Sequence, residues 1–176
     1  MSTQGMPPGP AAPQPLKAPA GTDVNTVWIW LLVGIQILPL ITAVLLPWGG
    51  MFDYDLDDPA AAMRASLSIY LSPLYWLSIA LGWAVYGFGV YFAYLDHREL
   101  GLRGVPSPFH WAFAFLGGIV YVVGRAIVVH RRTGAGYAPL WAAGVCVALS
   151  FVVAGVITAV TLDGIADLIQ RSVRDR

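Results

Sequence analysis

Apolar residues fall in four long blocks separated by short polar or charged segments, at about residues 24–46, 71–95, 109–129 and 138–162. At about 1.5 Å of rise per residue, each block makes a helix long enough for a hydrocarbon core of about 30 Å. The pattern predicts an all-α fold, a polytopic membrane bundle with four transmembrane helices. Trp28, Trp30 and Trp48 flank the first block, and Tyr75, Trp76, Tyr91 and Tyr94 flank the second. Amphipathic rings in such places match the aromatic belts of a bilayer. The run Asp96-His97-Arg98-Glu99 with Arg103 is expected to end the second span in water.

The third block contains Gly117-Gly118 near its middle and Arg125 about one turn from its far end. It allows an alternative of three spans plus a re-entrant hairpin at 109–129, turning at the two glycines. Each arm would then hold roughly ten residues, about 15 Å, and reach only the middle of the membrane. A full span is favoured, because 21 residues match the core and Arg125 can snorkel to the nearby interface. Irregular backbone at mid-membrane also needs protein or water around it.

Three segments flank these blocks. Residues 1–22 hold Pro7, Pro8, Pro10, Pro13, Pro15 and Pro19 and read as a disordered, proline-rich tail before a transmembrane domain at 23–162. Pro10 and Pro13 form a PxxP; a solvated tail is its plainer reading. In the loop 48–70, Asp58-Pro59 reads as an N-cap with proline at the first helical position, so 59–70 is expected to form a short interfacial helix. Residues 163–176 read as an amphipathic C-terminal tail, with apolar residues at helical spacing and Asp167–Arg171 at i,i+4.

Composition narrows the class. Only 11% of the 176 residues are charged and 57% are hydrophobic, against about 25% charged in a soluble domain. Ten Lys/Arg balance ten Asp/Glu with no basic stripe, which disfavours a nucleic-acid partner. The single cysteine, Cys146, excludes a disulfide scaffold. No positive n-region leads directly into an apolar stretch at the N-terminus, so a signal peptide is not expected. The lipid bilayer is the expected partner and the cell membrane the expected location, with the N-terminus in the cytoplasm. Cation counting gives six inside and four outside for four spans and for the re-entrant alternative alike.

Candidate chemistry is sparse. Asp53-x-Asp55-x-Asp57 opens like an EF-hand loop, but Asp58 stands where glycine is needed and Arg64 where the bidentate glutamate belongs. Asp96, His97, Glu99, His110 and His130 are metal-ligand types, yet four spans would put Asp96 and His130 on opposite membrane faces. No metal and no cofactor is expected. Four residues stand as candidates for function: Arg125, Gln36, Asp96 and His97. Arg125 is the one charge inside an apolar block, with anchoring by snorkelling as its plainer account. Gln36 lies mid-span near Pro39 and reads first as an interhelical hydrogen-bonding group. Cys146, Ser150, Ala154 and Thr158 recur every four residues, and Gly89-x3-Ala93 adds a similar row. Such rows allow close helix packing, within a bundle or a homo-oligomer, or with a membrane-protein partner. No nucleophile has a base beside it, so an enzyme is not expected.

Asp96-His97-Arg98-Glu99-Leu100, Arg103-Gly104, Tyr121-x3-Arg125, Arg131-Arg132-Thr133-Gly134 and Pro139-Leu140-Trp141 form a set. The chain resembles, through these, a loosely defined group of small actinobacterial four-helix integral membrane proteins of uncharacterised function. Some members carry a short Trp-containing module where this chain has its proline-rich tail. Members also favour prolines near Gly117-Gly118, which speaks for the hairpin. The resemblance covers about a quarter of the chain closely and implies no activity. The expected role is a non-catalytic membrane anchor or interaction protein. The rival is an oligomeric permeation protein (a small channel, transporter-like or phage holin-like) with Arg125, Gln36 and Tyr121 on a shared cavity.

Overall fold

The computed structural model describes residues 17–19, 21–46, 48 and 58–174. The proline-rich stretch 1–16 and the acidic residues Asp53, Asp55 and Asp57 lie outside them. Among the described residues the fold is all-helical: α1 (Val27–Ile35), α2 (Ile37–Leu45), α3 (Pro59–Leu71), α4 (Pro73–Leu102), a 3-10 helix (Trp111–Leu116), α5 (Gly118–Thr133) and α6 (Ala138–Arg174).

Three helical stretches are long and apolar enough to cross a membrane: Val27–Leu45, Pro73–Leu102 and Ala138–Arg174. Their side chains face outward to a degree that water would not tolerate, with Trp83, Trp141 and Phe151 each more than 70% exposed. This is a membrane protein by length, composition and surface.

The first span begins where Thr26 caps it, its hydroxyl accepting from the Ile29 N–H at 3.3 Å. It breaks at Gln36, between α1 and α2. Pro39 explains the break: proline has no N–H for the carbonyl of Ile35, four residues back, and its ring crowds that carbonyl. Asp58 caps α3 as the Asp-Pro pair predicts, accepting from the Ala60 N–H at 2.9 Å and pairing with Arg64 at 3.2 Å. No break separates the last span from the C-terminal tail; both belong to α6, 37 residues and about 55 Å long.

Two expectations are corrected. Residues 109–129 are not one helix. The 3-10 helix stops at Gly117, whose φ of 130° and ψ of 144° suit only glycine, and α5 starts afresh at Gly118. The chain then doubles back. The Phe109 ring lies tilted beside that of Tyr121 and against Gly124, and the Arg132 guanidinium donates to the Ser107 carbonyl. The two limbs are therefore antiparallel, with both ends together, so the described residues hold three membrane-length helices and a short hairpin, and a fourth span is not confirmed. The second correction concerns Asp96. It does not end its helix in water: α4 continues to Leu102, and Asp96 is fully buried.

Packing follows from small and apolar stripes. The buried residues of α4 are Val85, Gly89, Ala93, Asp96 and Leu100, spaced as one helix face. This face of α4 packs on α1, with Ala93 in the shared core, and the hairpin packs on α4 beside it. Helix α6 lies against α1, α2 and α5 but makes no close backbone contact with α4. The core joins Ile29, Leu32 and Val33 of α1 with Ala93, Ala114, Tyr121, Val122 and Ala143.

Candidate functional site

At the base of the hairpin, α4 and α5 bring a carboxylate and a guanidinium together in the interior. Helix α5 buries Tyr121, Val122, Arg125, Ala126 and Val129, a single face at i, i+4 and i+8 spacing. That face meets Asp96 of α4. Arg125 Nε donates to Asp96 Oδ2 at 2.7 Å and Nη2 donates to Oδ1 at 3.1 Å, a bidentate pair. The two side chains are 1% and 0% exposed. Tyr121, one turn before Arg125, donates its hydroxyl to Asp96 Oδ2 at 2.8 Å. The Thr26 hydroxyl donates to Asp96 Oδ1 while accepting from the α1 backbone. Arg125 Nη2 also donates to the Val24 carbonyl at 2.6 Å, and Nη1 has no partner among the described residues.

The segment before α1 is thus part of the site. Residues 17–19 and 21–26 cross the hairpin base as a strap. Val24 is buried with Leu100, Val105 and Val129, and Ala18 packs on them. Arg103 donates to the Asp23 carbonyl at 2.8 Å and pairs with the carboxylates of Asp23 and Glu99. The Ala18 N–H reaches the Arg132 carbonyl at 3.2 Å. A buried guanidinium needs a carboxylate and further acceptors, and the strap supplies one of them.

Of the four candidate residues, Arg125 and Asp96 meet. His97 faces the other limb of the hairpin, its Nδ1 2.9 Å from the Phe109 carbonyl and its ring 5.6 Å from that of His110. Gln36 sits apart, ten residues along the first span from Thr26, roughly 15 Å. There its amide nitrogen lies 2.7 Å from where a Cβ on Gly118 would stand, at the hairpin apex. A cleft of about 220 Å³ opens beside it, walled by Leu32, Val122, Ala143, Cys146 and Ser150 among others. None of Asp96, Arg125, Tyr121 or Thr26 is in that wall.

Thr26 and the Val24 carbonyl escape sequence reasoning, since a threonine before an apolar run signals a helix cap and nothing more. The Tyr121-x3-Arg125 spacing does place both on one helix face. No three His, Cys, Asp or Glu side chains gather as a metal site among the described residues. No family model, curated protein or solved structure matches this chain.

Proposed function

We propose that this protein is a non-catalytic membrane anchor with three spans and one re-entrant hairpin, working through helix packing and its exposed segments. The single observation that carries the reading is the enclosure of the Asp96–Arg125 ion pair. Asp96 takes four hydrogen bonds and Arg125 is almost fully enclosed, so the pair welds the strap, the second span and the hairpin into one block. An ion path needs charge that faces water; this pair does not, its side chains being 1% and 0% exposed.

The end bearing the strap is assigned to the cytoplasm of a cell membrane, since Lys17, Arg98, Arg103, Arg125, Arg131 and Arg132 gather there. The hairpin starts and finishes on that side, and α6 runs to the other. Kinship with the actinobacterial membrane group is proposed on the shared motifs alone.

The permeation reading has one observation in its favour, the cleft at the hairpin apex with Gln36 and Ser150 in its wall. Ion and dye flux from liposomes discriminates the two. Wild-type protein is expected to give no flux above empty vesicles, and Arg125→Ala to add none that is ion-selective. Selective flux by the wild type that disappears in Arg125→Ala or Gln36→Leu would make the protein a pore.

A further inference from the structure

We propose that the end carrying the strap and the hairpin base is a docking surface for anionic phospholipid headgroups. It rests on the topology above in placing this end at a membrane surface. Six cations meet there, and the chain brings three carboxylates to oppose them: Asp23, Asp96 and Glu99. Asp96 is taken up by Arg125 in the interior. Asp23 and Glu99 both pair with Arg103. Lys17, Arg98 and Arg131 remain, all exposed and without an ion-pair partner among the described residues. Arg132 reaches a backbone carbonyl, not a carboxylate.

Among the described residues no other carboxylate pairs with these cations. Residues 1–16, which adjoin Lys17, contain no Asp or Glu. In sequence the other acids are Asp53, Asp55, Asp57 and Asp58, between α2 and α3, and Asp163, Asp167 and Asp175, toward the C-terminus. Toward that opposite end the pairing is local, Arg64 with Asp58 and Arg171 with Asp167.

Geometry concentrates the surplus. The Ala18 N–H bond to the Arg132 carbonyl holds Lys17 close to Arg131 and Arg132. Arg98 follows two residues after Asp96 on α4, on the exposed side of that helix. Trp111 packs edge-on against Tyr94 at the same end, with centroids 5.6 Å apart, as rings do at headgroup depth. Cations at the rim of an apolar surface fit the phosphates of lipids, whose chains cover the adjacent spans, better than a dissolved anion. Each such cation near an anionic surface strengthens attraction about fivefold.

The experiment uses the full chain in phosphatidylcholine vesicles with a trace of spin-labelled phosphatidylglycerol or spin-labelled phosphatidylcholine. The wild type is expected to immobilise several times more of the anionic probe than of the neutral one, with the preference falling as salt rises. Lys17→Gln/Arg98→Gln/Arg131→Gln, all at exposed positions, is expected to lose most of that preference, and Arg64→Gln to keep it. Equal retention of both probes by the wild type, or an unchanged preference in the triple variant, overturns the proposal. So does full displacement by inorganic phosphate beyond the effect of chloride at equal ionic strength, which would mark a site for free phosphate. Maleimide labelling keeps the two failures apart. Cysteines at Leu102 and Ala135 labelled from one side, without lipid preference, sink only the lipid surface; labelling from opposite sides sinks the topology.

Discussion

Each oxygen of the Asp96 carboxylate serves two donors: Thr26 and Arg125 Nη2 at Oδ1, Tyr121 and Arg125 Nε at Oδ2. Removing the carboxylate strands a buried guanidinium, so Asp96→Ala is expected to cost about 3–5 kcal/mol of stability. Removing both charges is milder. Asp96→Leu/Arg125→Met is expected to recover most of that loss, because the desolvation of two ions disappears with their attraction. Thermal unfolding in mild detergent, run as a double-mutant cycle, reads both; a double variant as unstable as Asp96→Ala would contradict the account. Tyr121→Phe removes one of four donors and is expected to cost about 1–2 kcal/mol in the same assay. Arg125 is visible in the sequence as the one charge in an apolar block. Its partner is not, because Asp96 stands beside His97, Arg98 and Glu99 and reads as the watery end of a helix. The residue that reverses that reading lies 29 positions away, where no spacing rule reaches.

The hairpin depends on close contacts that only glycine permits. A Cβ on Gly124 would stand 2.3 Å from the Phe109 ring, so Gly124→Val is expected to force the limbs apart and cost about 1–3 kcal/mol. Gly124→Val/Phe109→Ala relieves the clash and is expected to regain part of the loss; hydrogen exchange on α5 reports the loosening in each. Gly117 is a second hinge, and Gly117→Ala is expected to cost about 1–3 kcal/mol for its backbone conformation alone. The long elements were largely legible: apolar runs locate the three membrane-length helices, and Asp58-Pro59 locates α3. The broken third block was legible only as an alternative. Its 21 residues favour a span by length, and six cations against four result either way. What separates the two is tertiary, the seating of Arg125 on Asp96 and of Arg132 on Ser107.

Taken as a whole, the molecule is lopsided. One end is tied by the strap, the hairpin base and Arg103; toward the other, α6 runs about 55 Å with most of its length exposed. The row Gly144, Ala148, Gly155 and Ala159 lies on that exposed surface, while Cys146 and Ser150 turn inward to the cleft. Low overall charge therefore reflects a packed bundle with one interior ion pair among the described residues, as the proposed anchor role requires. The arrangement depends above all on the hairpin returning to the side from which it left. Single cysteines at Leu102, Ala135 and Ser172 on a Cys146→Ala background test this with a membrane-impermeant maleimide. Leu102 and Ala135 are expected to react from the same side and Ser172 from the other; Leu102 and Ala135 reacting from opposite sides would restore the four-span bundle and contradict the account.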